Sequence, residues 1–249
     1  MLEDTRLTEL CTPVVFASSK LASYHRNAID KRNFQFRLCD TIEDIKEGAN
    51  NLVLSWDDNV EITLGLPTDV SGTYALKSID AAIDAAKNGK IHALLTAPIN
   101  KHNIAASVEG FSGHTGYLAK EFGNDVLMIL ASDVLKVATV TGHVPISKVA
   151  EGITEASINK AIVLLAQSLK RDFGVVKPRI AVLGLNPHAG EMGTIGSEEK
   201  DIIRPAIENA EHKNTIVKGP FPADGFFGQG FESKFDAVLG MYHDQVLVP

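Results

Sequence analysis

Short runs of apolar residues alternate along this chain with longer stretches in which apolar positions recur every three or four residues. The short runs predict strands, because apolar residues concentrated over a few positions suit a buried sheet. The predicted strands are Pro13 to Ala17, Asn33 to Cys39, Leu52 to Trp56, Ile91 to Thr96, Val126 to Ala131, Lys136 to Thr141, Ile180 to Leu185 and Asp236 to Met241. Strands separated by helices are typical of an α/β protein with a largely parallel sheet.

Three stretches between these strands have helical periodicity. Residues 154–174 begin with a candidate N-cap, Thr154, and place Ile158, Ala161, Ile162, Leu165 and Leu169 on one face. Residues 71–90 repeat this pattern and end near Gly89. The third stretch, residues 197–213, starts at Ser197, carries two glutamates where a helix start favours negative charge, and should bend at Pro205.

Composition and charge exclude several classes of protein. The chain has 249 residues, of which 45% are hydrophobic and 22% charged, with a net charge of -7, so it has material for a core and no basic surface for nucleic acid. Its apolar runs are far shorter than the roughly 20 residues that span a membrane. Cys11 and Cys39 form no disulfide or zinc pattern, and we expect a cytoplasmic protein.

Three histidines, His143, His188 and His243, come directly after predicted strands. Ligands of parallel α/β sheets bind outside the carboxyl ends of the strands, so these imidazoles could converge on one divalent metal ion. The alternative is that each is a lone histidine bonded to a carbonyl group at its own strand end. Asp244, beside His243, either orients a ligand or is a turn residue.

Other polar residues are candidates for binding a phosphate group. His114 and Thr115 stand at the start of a predicted helix, where free backbone amides attract anions, although Thr115 could simply cap the helix. Lys101 follows a predicted strand, and the default interpretation is a surface lysine. The glycine-rich residues 190–196 and the carboxylate of Asp224 complete this set.

Six motifs, taken in order, resemble the 4-hydroxythreonine-4-phosphate dehydrogenase family of pyridoxal phosphate biosynthesis. They are LLTAPINK, FSGHTGYLA, TGHVPISKVAEGIT, RIAVLGLNPHAGEMGTIGSEE, GPFPADGFF and DAVLGMYHDQ, and they run from about Leu94 to the end of the chain. The pair NPHAGE and YHDQ is the most specific part of the resemblance. The family is similar in fold to isocitrate and isopropylmalate dehydrogenases. The resemblance therefore implies two α/β/α domains around a cleft and a homodimer whose site is completed across the interface.

The resemblance also implies the chemistry and the residues that perform it. His143, His188 and His243 would bind a divalent metal (Zn, Mg, Co or Mn), with His188, His243 and Asp244 as the catalytic candidates. His114 and Thr115 would contact a small phosphorylated substrate, and we group Lys101 and Asp224 with them. The implied reaction is oxidation of a secondary alcohol by NAD (or NADP), followed by loss of CO2 from the β-keto acid.

The chain also departs from the family pattern. It lacks the family's opening strand and glycine-rich loop, ends soon after YHDQ, and has Val246 where a glycine is usual, so we expect parts of the first domain to be missing. We predict a first domain of residues 1–104 with 241–249 and a second of 105–240. Three competing functions remain: a paralogue acting on another phosphorylated hydroxy acid, an inactive truncated chain that retains metal binding or dimerisation, and a metal-free acyl transferase, which the three histidines disfavour.

Overall fold

A computed structural model describes residues 2–56, 60–61, 63, 65–105, 111, 113–123, 126–209 and 214–249 of the chain. The chain divides into two compact units, Met1–Asn124 and Asp125–Pro249. The division differs from the predicted one, because residues 241–249 belong to the second unit, where His243–Leu247 packs against the sheet. Compact units do not by themselves establish domains, so the discontinuous division at residues 104 and 241 stays a prediction.

The described part of the first unit contains a parallel three-stranded sheet in the order β1-β3-β2. Its strands are β1 Val14–Ala17, β2 Arg37–Cys39 and β3 Asn51–Leu54. Its helices are α1 Thr5–Leu10, α2 Ser19–Ala28, α3 Asp69–Lys87, α4 Lys101–Ala105 and α5 His114–Phe122, with a 3-10 turn at Ile42–Asp44. The core joins strand residues Phe16, Cys39 and Val53 to α3 through Ala82 and Ala85.

The first unit confirms most of the predicted elements. Helix α3 begins at a capping box, in which the side chain of Thr68 accepts from the Ser71 amide at 3.1 Å. The predicted strand Ile91 to Thr96 is wrong, because that segment has no strand structure. Ile91 and Leu94 pack against the core without pairing in a ladder, so their burial alone explains the apolar pattern.

The second unit contains a sheet of five described strands in the order β4-β5-β8-β6-β7, parallel except for β4. Its strands are β4 Ile129–Ala131, β5 Lys136–Thr139, β6 Arg179–Leu183, β7 Ile216–Phe221 and β8 Ala237–Gly240. Its helices are α6 Val149–Gly152, α7 Glu155–Arg171, α8 Arg204–Asn209, α9 Ala223–Gly228 and α10 His243–Leu247. Single-turn segments lie at Ile146–Lys148, Pro187–Gly193, Glu199–Ile203 and Phe231–Lys234.

Apolar side chains cover both faces of this second sheet. Ile180 and Val182 of β6 join the cluster that contains the buried face of α7, whereas Ala181 and Leu183 join a cluster around Phe226 of α9. Successive strand residues point to opposite faces, so a strand buried on both sides reads as one continuous apolar run. This burial explains why the sequence predicted β6 clearly.

Two local differences from the sequence predictions have physical causes. Strand β7 was missed because Lys218, Gly219 and Pro220 interrupt its apolar pattern. The bend expected at Pro205 takes the form of a π-helical turn, Glu199–Ile203, ahead of α8; proline has no N–H group to continue an α-helical ladder. Among the helices described, none combines the length and apolar character that crossing a membrane requires.

Candidate functional site

The three histidine segments follow three adjacent parallel strands. Strand β8 lies between β5 and β6, and His243 follows β8, His143 follows β5 and His188 follows β6. The carboxyl ends of parallel strands share one edge of a sheet, where α/β proteins bind their ligands. The second unit therefore places the three predicted metal ligands in segments that leave the same sheet edge.

His143 and His243 lie close together at this edge, with ring centroids 5.4 Å apart and an interplanar angle of 49°. Thr141 holds the two strand ends together, because its backbone amide and its hydroxyl both donate to the Met241 carbonyl, at 3.1 and 2.7 Å. His143 is exposed and His243 partly so. Both rings are therefore accessible to a ligand.

Asp244 lies against the neighbouring histidine. Its Oδ1 is 2.7 Å from Nδ1 of His243, an arrangement that fixes the ring orientation and leaves Nε2 as the nitrogen for a ligand. A carboxylate behind an imidazole is the usual partner of a metal-binding histidine. The nitrogen donors and the carboxylate behind one of them are of the kind that binds a divalent cation, and the role of Asp244 as an orienting residue stays a prediction.

His188 lies in an exposed turn, Pro187–Gly193, whose residues 188–192 have φ values between 43° and 77°. Within the described parts of the chain, no group of three or more histidine, cysteine, aspartate or glutamate side chains is arranged to hold a metal. The structure therefore brings together two of the three predicted ligands, and the three-histidine metal site stays a prediction.

Glu199 is a buried carboxylate that the sequence analysis did not recognise as part of this site. Its side chain accepts from the backbone amides of Leu185 and Asn186, at 2.7 and 2.6 Å, and from the Asn186 side-chain amide at 3.0 Å. Glu199 is only 3% exposed. The sequence suggested a glutamate favourably placed at a helix start, but the side chain is buried and bonds the segment that leads to His188.

Gln245 is the second buried polar residue that the sequence analysis missed. Its Oε1 accepts from the Met241 amide at 2.7 Å, and its Nε2 donates to the Gly184 carbonyl at 2.6 Å. These two bonds join the end of β8 to the end of β6. Its place in the YHDQ motif, two residues after His243, was a signal in the sequence that it belonged to this edge.

The first unit contains a different group of polar residues, at the start of α5. Gly113 precedes the helix with φ 113°, and a Cβ atom there would lie 3.0 Å from Cε of Lys101, so the lysine side chain passes over this glycine. His114 follows, and its buried Nε2 has no hydrogen-bond partner. Burial, and then the charge of Lys101, lower the pKa of His114. Thr115 is exposed on the same first turn.

Helix α5 is fixed to α3 by Tyr117. Its hydroxyl donates to Oδ1 of Asp80 at 2.6 Å, and burial together with this carboxylate raises the pKa of Tyr117 above its usual range. The phenol therefore stays neutral, and the hydrogen bond fixes the position of the start of α5. Lys101 and His114, predicted from sequence as phosphate contacts, are thus brought together within the first unit.

Asp224, the remaining predicted substrate contact, is an exposed residue in the first turn of α9. Helix α9 packs against the Pro187–Gly193 turn that carries His188. Asp224 therefore belongs to the neighbourhood of the strand-end residues of the second unit, and its contact with a substrate stays a prediction.

These features define an α/β protein with parallel sheets, strand-end histidines in one unit and a cationic helix start in the other. The family model of Pyridoxal phosphate biosynthetic protein PdxA matches residues 9–249, and the chain belongs to this family.

Relatives of known name agree with this assignment. The chain is 42% identical over 248 residues to a 4-hydroxythreonine-4-phosphate dehydrogenase of Bacteroides thetaiotaomicron, with 99% of this chain and 68% of the relative covered. It is 39% identical to the protein of the same name from Desulforapulum autotrophicum, with 100% and 74% covered. The crystal structure of a 4-hydroxythreonine-4-phosphate dehydrogenase from Burkholderia phymatum superposes with a TM-score of 0.82 at 31% identity, covering 96% of this chain and 73% of that one.

Proposed function

We propose that this chain oxidises 4-phosphohydroxy-L-threonine with NAD and decarboxylates the product to 3-amino-2-oxopropyl phosphate, in pyridoxal phosphate biosynthesis. Membership of the PdxA family and the names of its relatives support this class of reaction. The structural observation that carries the proposal is the pair of histidine rings, His143 and His243, 5.4 Å apart at the carboxyl edge of a parallel sheet.

In this proposal His143 and His243 bind a divalent metal, and His188 completes the ligand set in a homodimer. A divalent cation held there would supply a Lewis acid for the substrate's alcohol oxygen. Asp244 keeps Nδ1 of His243 engaged, so that Nε2 faces the ligand. His143 and His188 are exposed, so a ligand or a second subunit could contact their rings.

The start of α5 is the proposed site for the substrate's phosphate group. Three kinds of donor meet there: the ammonium group of Lys101, the ring of His114 and the free backbone amides of the first helical turn. The unpaired Nε2 of His114 is a buried polar atom that a phosphate oxygen would satisfy. The lowered pKa leaves His114 neutral near pH 7, so it would act as a hydrogen-bond donor through one ring nitrogen, and Lys101 would supply the charge.

The reaction itself has two balanced steps. In the first, the C–H bond of the secondary alcohol breaks and its hydride passes to NAD+, while the hydroxyl proton is lost, which gives a β-keto acid. In the second, the bond to the carboxylate breaks, CO2 leaves, and the remaining electron pair is protonated to give the amino ketone. Both steps develop negative charge on the same oxygen, so one group of electrophiles serves both.

The direct test follows NADH absorbance after the purified chain is mixed with NAD, 4-phosphohydroxy-L-threonine and Co2+, with and without chelator. We expect NADH formation that the chelator abolishes. His188→Ala should lose this turnover, while the matched variant His92→Ala, at an exposed histidine outside both groups, should retain it. Metal binding without NADH formation would overturn the proposed activity and favour an inactive chain. Turnover only with another phosphorylated hydroxy acid would identify a paralogue.

A further inference from the structure

We propose that Glu199 is the positioning residue that presents His188 at the end of β6. The inference rests on the proposed function, in which His188 binds the metal. It assigns a role in that site to a residue that lies eleven positions further along the chain.

The contacts of Glu199 are concentrated on the residues that lead into the histidine turn. Oε1 accepts from two successive backbone amides, Leu185 and Asn186, and Oε2 accepts from the Asn186 side chain. A buried carboxylate needs several donors to be stable, and amide donors to an ionised acceptor form strong bonds. The backbone between β6 and His188 is therefore fixed at two consecutive positions, residues 185 and 186.

Glu199 also contacts the middle of the turn. A Cβ atom at Gly190 would lie 2.5 Å from Oε2 of Glu199, so the turn closes over the carboxylate at a position without a side chain. Gly190 is buried, whereas His188 is exposed and Met192 is 91% exposed. The turn thus wraps around Glu199 from residue 185 to residue 190 and directs His188 outward.

The conformation of this turn needs such an anchor. His188, Ala189, Glu191 and Met192 all have positive φ, a region that disfavours side chains with a Cβ atom. Runs of this kind persist only where the surroundings fix them, and they concentrate at functional sites. A turn kept only for packing would bury its side chains. This one exposes a histidine, so we infer that the strain serves to place the imidazole.

The test compares Glu199→Gln with the matched control Glu198→Gln. Glutamine at 199 offers the two backbone amides a neutral oxygen in place of a carboxylate oxygen, which weakens both bonds, and it faces the Asn186 side-chain amide with a second donor. Among the described residues, Glu198 accepts from that side-chain amide, at 2.7 Å, and from neither backbone amide, so Glu198→Gln disturbs the Asn186 side chain without touching the backbone bonds. The readout is the imidazole 1H–13C signal of His188 in the metal-free protein, assigned from its loss in His188→Gln, with the signals of His25 and His92 as internal references.

We expect Glu199→Gln to shift or broaden the His188 signal and leave the two reference signals unchanged, with Glu198→Gln close to wild type. Co2+ titration should then show about tenfold weaker binding in Glu199→Gln, the lower end of the loss typical of residues that support a metal ligand. An unchanged His188 signal would overturn the inference, even if the variant melts earlier. That result would make Glu199 a purely structural residue.

This design tests the proposed function and the role of Glu199 separately. If the wild-type protein does not bind Co2+, the proposed function fails, and the His188 signal still decides whether Glu199 positions the ring. If Glu199→Gln unfolds, every histidine signal will change, and Gly190→Ala then takes its place, because its Cβ would collide with the same carboxylate. An unchanged His188 signal in Gly190→Ala would then overturn the inference.

Discussion

The two groups of polar residues in this chain are built in opposite ways. At the strand ends of the second unit, Thr141, Glu199 and Gln245 are buried and bonded to neighbouring backbone. At the start of α5 in the first unit, the buried Nε2 of His114 lacks a partner and Lys101 lies over a glycine. The first arrangement uses its hydrogen bonds to fix the strand-end segments, whereas the second leaves a buried hydrogen-bonding atom without a partner.

This difference has a consequence for mutation. Removing a buried group that is already bonded leaves its partners unsatisfied, which costs stability directly. Removing a group that has no internal partner costs little stability and is expected to affect binding instead. Stability measurements should therefore separate the two groups. The variants below test this separation and the packing of α4 against α3, in order of expected effect.

The largest loss is expected for Gln245→Leu. Gln245 is buried and bonds to the Met241 amide and the Gly184 carbonyl. Leucine has a similar volume but cannot form either hydrogen bond. We expect a decrease of about 3 kcal/mol in the free energy of unfolding, measured by urea denaturation. The control Gln167→Leu, at an exposed glutamine of α7, should change it by less than about 0.5 kcal/mol. Equal losses in the two variants would show that the Gln245 bridge between β6 and β8 does not contribute to stability.

A smaller loss is expected for Gly72→Ala in the first unit. The added Cβ would collide with the backbone carbonyl of Asn103, so α4, which carries Lys101, would have to move away from α3. We expect a loss of about 2 kcal/mol in urea denaturation, typical of overpacking. Gly228→Ala, where nothing lies within 4 Å of the new Cβ, is the control and should be neutral or slightly stabilising. A neutral Gly72→Ala would show that α4 docks loosely.

The fold was predictable where burial produces a simple pattern. Helices α3 and α7 bury one face each, and strands β5, β6 and β8 lie within one sheet core, so helical periodicity and continuous apolar runs revealed them. Strand β7 was hidden because Lys218 and Pro220 belong to a partly exposed strand. Ile91 and Leu94 gave a false strand, because apolar residues can pack on a core without joining a ladder.

The candidate site was predictable only in part, for a similar reason. Histidines directly after apolar runs indicated strand ends, but the order β5-β8-β6, which makes those ends neighbours, depends on tertiary pairing and not on local sequence. Glu199 resembled a glutamate at a helix start, and Gln245 resembled an ordinary helix residue. Both lie in motifs that carry the family resemblance, but their burial and their backbone partners follow from the folded chain alone.

Thr141→Val should have a modest effect on the strand ends of the second unit. Valine is close in shape to threonine but lacks the hydroxyl that donates to the Met241 carbonyl, although the backbone amide of residue 141 continues to donate there. We expect a loss of about 1 kcal/mol in the free energy of unfolding. Thr194→Val, at an exposed threonine, should be neutral. A loss as large as that of Gln245→Leu would contradict the ranking of the two bonds.

The smallest effect on stability is expected for Lys101→Met. This variant should mainly change the pKa of His114, so it tests the polar residues at the start of α5 by themselves. Burial and the Lys101 charge both lower the pKa of His114, with burial the larger cause. Folding therefore disfavours the protonated ring, and wild-type stability should decrease as pH falls below about 6.5, the unfolded value. In Lys101→Met, NMR titration of His114 should give a pKa above that of wild type but still below the unfolded value, because burial remains. Lys120→Met, near the other end of α5, should leave the titration unchanged, and an unchanged titration in Lys101→Met would show that the ammonium group does not face the ring.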